Sequence, residues 1–197
     1  MSSEEIDQSR RHFLTVATVV AGAVGAVMTA VPFVSSMEPS ARAKALGGPV
    51  DIDISKIEPG GQIKAKWRGK PVWVVQRPQA AVDGLIKLDG MLRDPASKEA
   101  QQPANCQNEY RSLKPELFVV VGICTHLGCS PLYKPQPADP EVGMDWPGGF
   151  FCPCHGSKYD LAGRVFKGVP APLNLQVPPY KYSSDTVIHV GEEVGAA

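Results

Sequence analysis

Cys124-Thr125-His126-Leu127-Gly128-Cys129 and Cys152-Pro153-Cys154-His155-Gly156-Ser157-Lys158-Tyr159 decide the reading of this chain. Each stretch supplies a cysteine–histidine pair, Cys124 with His126 and Cys152 with His155, and one further cysteine, Cys129 and Cys154. Two thiolates and two imidazoles make a Cys2His2 ligand set. Tetrahedral zinc accepts that set, yet zinc modules usually separate a cysteine arm from a histidine arm. Here each arm mixes the two types, which suits a two-iron cluster with both thiolates on one iron and both imidazoles on the other. The ligand types alone leave both metals open.

At every defined position the two stretches are similar to Cys-Thr-His-Leu-Gly-Cys and Cys-Pro-Cys-His-Gly-Ser-x-Tyr, the cluster loops of one family. That family is the Rieske iron–sulfur subunits of quinol–cytochrome c reductase (cytochrome bc1) complexes. The resemblance implies an all-β head, a Rieske-type antiparallel β-sandwich with a small cluster-binding subdomain at its tip, plus one N-terminal transmembrane helix. It implies one [2Fe–2S] cluster per subunit, with Cys124 and Cys152 on the inner iron and His126 and His155 on the outer. It also implies a disulfide between Cys129 and Cys154 that clamps the two loops. Ser157 would donate its hydroxyl to a bridging sulfide and Tyr159 to the sulfur of Cys124, while His155 would meet the quinol as the catalytic contact. The proline loop departs from the family's Gly-Pro-Ala-Pro by one extra residue, reading Gly168-Val169-Pro170-Ala171-Pro172.

The function implied is that of an electron-transfer subunit within a proton-translocating oxidoreductase. It would accept an electron, coupled to a proton, from ubiquinol at the cytochrome b site and pass it to cytochrome c1, within a dimeric complex. The alternative is the Rieske subunit of a cytochrome b6f-like complex, which shares both loops. Residues 89–116 and the long loop Tyr133–Asp145 between the motifs favour the bc1 reading. Rieske ferredoxins and oxygenase domains usually lack the extra cysteine pair, the Ser-x-Tyr donors and an anchor, and so fit less well.

Composition limits the other possibilities. With 197 residues the chain has room for one domain and an anchor. Formal net charge is zero and no dense basic patch occurs, which argues against a nucleic-acid partner. The 19 glycines and 19 prolines predict many turns and short strands. Of five cysteines, four lie in the two loops. Cys106 stands apart in a polar stretch and reads as an uninvolved thiol.

The N-terminal part reads as an anchor with an export address. Phe13 to Val34 is uncharged over 22 residues. As a helix it would span about 33 Å, enough for a bilayer core. A cleaved signal peptide is the competing reading, but signal h-regions are usually only about 7–15 residues long. Small residues recur at every fourth position, Ala17, Ala21, Gly25 and Thr29 beside Thr18, Gly22, Ala26 and Ala30, a spacing that permits close helix packing. Ser9-Arg10-Arg11-His12-Phe13-Leu14 looks like a twin-arginine signal. The organisation expected is therefore a cytoplasmic N-terminus (1–12), a transmembrane helix (13–34), a flexible hinge or tether (35–48) and a periplasmic head (49–197). This makes a single-pass protein of the cell inner membrane.

Within the head, short apolar runs predict strands at Pro71–Gln76, Leu117–Gly122, Gly149–Cys152, Arg164–Lys167 and Thr186–Val190. A weak helix is expected near Asp94–Gln101. Residues 89–116 read as a polar surface insertion. His12 and His189 carry no motif context and read as ordinary surface or strand residues.

Overall fold

The computed structural model describes residues 8–192, so Met1–Asp7 of the expected N-terminal segment and the last five residues of the head lie outside the described residues. The chain divides into two units, residues 1–45 and 46–197.

In the first unit, helix α1 (Gln8–Ser36) contains the whole uncharged run and buries none of its residues. Its hydroxyls turn back onto the helix: Thr18 Oγ1 donates to the Leu14 carbonyl at 2.8 Å and Thr29 Oγ1 to that of Gly25 at 2.7 Å. Both hydroxyls thus find their acceptors within the helix itself. A short helix, α2 (Ala41–Gly47), occupies much of the segment read as a tether. Ser40 caps it, its hydroxyl accepting the Ala43 amide at 3.2 Å.

Among the described residues the head is built on three antiparallel three-stranded sheets. In the first, β1 (Val50–Asp53), β9 (Val187–Val190) and β8 (Tyr180–Ser184) lie in that order. The second orders β2 (Gln62–Trp67), β3 (Lys70–Gln76) and β4 (Leu117–Val121). The third orders β5 (Leu132–Lys134), β6 (Gly149–Cys152) and β7 (Ser157–Tyr159). Every residue of β4 is buried, as are Val72–Val75 of β3, so these strands are covered on both faces and read as unbroken apolar runs. Ile52, Ile188 and Val190 of the first sheet close the same core. Phe150 of β6 carries that core into the third sheet, its ring 5.7 Å from Trp73 and 6.2 Å from Phe118.

Three expectations need correction. Arg164–Lys167 forms no strand, only isolated bridges at Val165 and Phe166. Side chains have taken the amides a ladder would use: Asp160 Oδ1 accepts from Arg164 N at 2.8 Å and Asn174 Oδ1 from Val165 N at 2.8 Å. Asp94–Gln101 is a turn, because the Asp94 carboxylate collects the Lys98 and Glu99 amides and Ser97 sits at φ +50°. The helix of this region lies earlier, as α3 (Gln79–Leu85) followed by a 3-10 turn over Ile86–Met91. Residues 89–116 are not simply a surface insertion: Leu92, Ser97, Cys106, Arg111 and Ser112 are all buried.

Candidate metal centre

The two motif loops leave the ends of β4 and β6, side by side. After β4 the chain passes Gly122, where any Cβ would run into the Trp73 indole, so only glycine lets the first loop start against this ring. The Cys124 amide then donates to the Cys129 carbonyl at 2.7 Å and the Gly128 amide to the Cys124 carbonyl at 3.0 Å. These bonds fold Cys124–Cys129 into a tight loop with Gly128 at φ +84°. In the second loop the Gly156 amide closes a turn on the Cys152 carbonyl at 2.9 Å, and Cys152 pairs with Ser157 across the β6–β7 hairpin.

Both loops converge. Cys129 and Cys154 are joined by a disulfide that closes a sequence separation of 25 residues. The sulfurs of Cys129, Cys152 and Cys154 lie within 4.8 Å of one another, so the bridge rests against Cys152. Cys124 and Cys152 remain free and almost fully buried, at 2% and 1% exposure. Burial pushes the Cys152 thiol up, the Cys154 and His155 amides directed at its sulfur draw it down, and the neighbouring Cys124 thiol pushes it up again. Two buried sulfurs held against each other, with amides aimed at one of them, form a pocket suited to bound thiolates.

The histidines complete the set. The His126 and His155 rings meet edge to face with centroids 4.7 Å apart. His126 Nδ1 is buried without a hydrogen-bond partner, a lone pair or proton that nothing among the described residues satisfies. A metal at that nitrogen would satisfy it, while the exposed His155 ring stays open to solvent. Two buried thiols and two adjoining imidazoles, one with an orphaned inner nitrogen, thus fit a [2Fe–2S] group in their donor chemistry. The fifth cysteine lies apart from this set: Cys106 is free, wholly buried, and pushed up to about 11 by burial.

Hydrogen bonds surround the set. Tyr159 Oη lies 3.1 Å from Cys124 Sγ and 3.2 Å from both the amide and the hydroxyl of Thr125. Burial holds the Tyr159 phenol far above its ordinary range, so it keeps its proton. Ser157 Oγ accepts the Ala171 amide at 3.1 Å, and its own proton meets no protein acceptor among the described residues. Thr125 Oγ1 donates to the Leu173 carbonyl at 2.6 Å. Gly168–Leu173, the proline loop, is thereby tied to both motif loops despite its extra residue. Sequence reasoning passed over Thr125, whose bonds run to residues 34 and 48 positions away. Its place between two ligand candidates in the motif was the available signal.

Comparison with known proteins agrees with this geometry. The family described as "Rieske [2Fe-2S] domain" matches residues 101–180, and that described as "Ubiquitinol-cytochrome C reductase Fe-S subunit TAT signal" matches residues 1–40. A ubiquinol–cytochrome c reductase iron–sulfur subunit from Allochromatium vinosum is 55% identical over 100% of this chain and 95% of its own length. One from Bradyrhizobium diazoefficiens is 44% identical, covering 93% of this chain and 94% of that protein. The mitochondrial cytochrome b-c1 complex subunit Rieske of Theropithecus gelada is 39% identical, covering 96% of this chain and 63% of that protein. With its two motif loops joined by the Cys129–Cys154 disulfide and with relatives this similar over almost its whole length, the chain belongs to the Rieske [2Fe–2S] iron–sulfur subunits of ubiquinol–cytochrome c reductase.

Proposed function

We propose that the chain carries electrons from ubiquinol, oxidised at cytochrome b, to cytochrome c1, as the anchored subunit of a dimeric bc1 complex. Cys124 and Cys152 would hold the inner iron as thiolates, with His126 and His155 on the outer iron. When bound, the [2Fe–2S] cluster supplies one-electron chemistry, at potentials of about −150 to +300 mV for centres of this type. The protein's own residues set the conditions. Tyr159 directs its hydroxyl at Cys124 Sγ, and Ser157 has a hydroxyl proton to give inside the pocket; both favour added negative charge there. The disulfide and the proline loop exclude water from the thiol side. On the open side, His155 receives the quinol hydroxyl in a hydrogen bond and takes its proton at the outward Nε2. An imidazole serves because it has two nitrogens: one would be taken by iron, whose charge makes the other the place where a proton is given up and taken back.

Arg10 and Arg11 would address the folded head across the inner membrane by the twin-arginine route, α1 would stay as its single-pass anchor, and the head would work in the periplasm. Residues 35–48, α2 included, would let the head travel between two sites on different subunits. Two observations carry the reading: the two free, buried thiols of the motif loops lie together, and the two histidine rings of the same loops meet, His126 with a buried, unpartnered nitrogen. The test is His155→Cys in the assembled complex. A cluster should still form, but with a lower potential, no pH dependence from this ligand and no quinol oxidation. Normal turnover with an unchanged pH profile would contradict the role given to His155.

A further inference from the structure

Behind the second motif loop, three arginines are almost completely buried, Arg77, Arg111 and Arg164, at 2%, 0% and 0% exposure. They come from distant parts of the chain and converge on one short segment, the exit of the loop after Tyr159. Arg77 Nη1 donates to the Leu161 carbonyl at 3.3 Å. Arg111 Nη1 donates to the carbonyls of Ala162 at 3.1 Å and Gly163 at 3.2 Å, and its Nη2 reaches Leu175, just past the proline loop, at 2.7 Å. Arg164 Nε is paired with Asp160 at 2.7 Å. Three successive carbonyls and the neighbouring carboxylate are thus held by guanidinium groups.

Hydrogen bonding alone does not account for the choice of arginine. Carbonyl acceptors solvate a guanidinium but carry no net charge, and Arg77 Nε has no partner among the described residues. Of the carboxylates paired with these arginines, Asp160 is fully buried, while Asp89, paired with Arg164 at 2.8 Å, is 47% exposed. Among fully buried groups three positive charges face one negative, and the half-buried Asp94 beside Arg111, Asp89 beside Arg164 and the exposed Glu116 near Arg77 compensate only from the solvent side. Burial lowers Arg77 and Arg111 to about 10, so both remain charged at neutral pH. Such an excess is costly unless negative charge is nearby. The adjoining Tyr159, whose hydroxyl meets Cys124, leads directly to where that negative charge would sit.

We propose that Arg111, with Arg77 and Arg164, forms a buried positioning set that braces the exit of the second loop and, by its excess of buried positive charge, favours the reduced state of the cluster. The inference rests on the ligand reading above. It is tested by potentiometric titration of the EPR signal in the assembled complex, comparing Arg111→Met, Arg111→Lys and Asp89→Asn. Loss of charge in Arg111→Met should weaken reduction about fivefold, which is about 40 mV at 59 mV per decade. Arg111→Lys, which keeps the charge, should stay within about twofold of the parent. Asp89→Asn should raise the potential, since it removes a compensating charge while its Oδ1 can still accept from Arg164. Equal shifts in the Met and Lys variants, or no rise in Asp89→Asn, would overturn the proposal. If Arg111→Met fails to assemble, the half-exposed Asp89 variant decides alone by the sign of its shift. A parent protein without a [2Fe–2S] signal would instead reject the ligand reading, so the two failures are distinguishable.

Discussion

The β2–β3–β4 sheet and the β5–β6–β7 sheet are equal in strand number and opposite in what holds them. In the first, Val72–Val75 and Leu117–Val121 bury unbroken apolar runs against Ile52, Ile188 and Val190. Burial on that scale stabilises a sheet without covalent help. The third sheet has strands of only three or four residues and a glycine, Gly149, whose backbone lies too close to the Tyr159 carbonyl for any side chain. What it has instead is a disulfide, the Tyr159 and Thr125 bonds, the arginine brace and the ligands. One region is organised by burial and the other by specific bonds. A rigid base can therefore carry a tip whose buried polar groups are reserved for the bound cluster.

The largest effect expected from this contrast is chemical. Cys124→Ser should abolish cluster binding while the base keeps its native strand signature by circular dichroism; collapse of the whole head would show that the base depends on the tip. Next comes Phe118→Ala in the base. It should destabilise the head by about 3–5 kcal/mol in denaturant titration, with cluster and fold lost together. A smaller loss should follow from Cys129→Ser with Cys154→Ser. Opening a loop of 25 residues costs about 3.5 kcal/mol in the chain-entropy picture. The visible spectrum should bleach well before the base unfolds; simultaneous transitions would count against separate stabilisation of the two regions.

The smallest effect concerns pH. Cys106 is raised to about 11 in the folded head, from about 9 when unfolded, chiefly by burial. Between those values the unfolded chain releases a proton that the folded one keeps. The contribution is thus fully present below about pH 9 and is lost as pH rises towards 11. Cys106→Ala should therefore show a shallower fall in stability than the parent over that window, with no change at pH 7 in the slope of stability against pH. Identical alkaline slopes would contradict the burial.

The same contrast governs how much could be read in advance. Pro71–Gln76 and Leu117–Gly122 were legible as strands because continuous apolar runs report on burial, and the motif loops because ligand spacing is local. Strands β2 (Gln-Ile-Lys-Ala-Lys-Trp) and β8 (Tyr-Lys-Tyr-Ser-Ser) escaped notice: they mix polar and apolar residues in short runs, and their pairing partners decide the conformation. Arg164–Lys167 looked like a strand because its composition is right; Asp160 and Asn174 claim its amides, which no periodicity shows. The polarity of residues 89–116 suggested the surface for a similar reason. Arg111 is buried because carbonyls 51, 52 and 64 residues further along accept from it together with the nearby Gln102 side chain.

The central claim is that two cysteines and two histidines hold the cluster, with the histidines on the open side. Pulsed EPR of the reduced full-length protein, grown on 15N-labelled histidine, tests it most directly. The account predicts strong coupling to two histidine nitrogens, falling to one in His155→Cys. A reduced cluster without histidine nitrogen coupling, or stoichiometric zinc with no acid-labile sulfide, would contradict it.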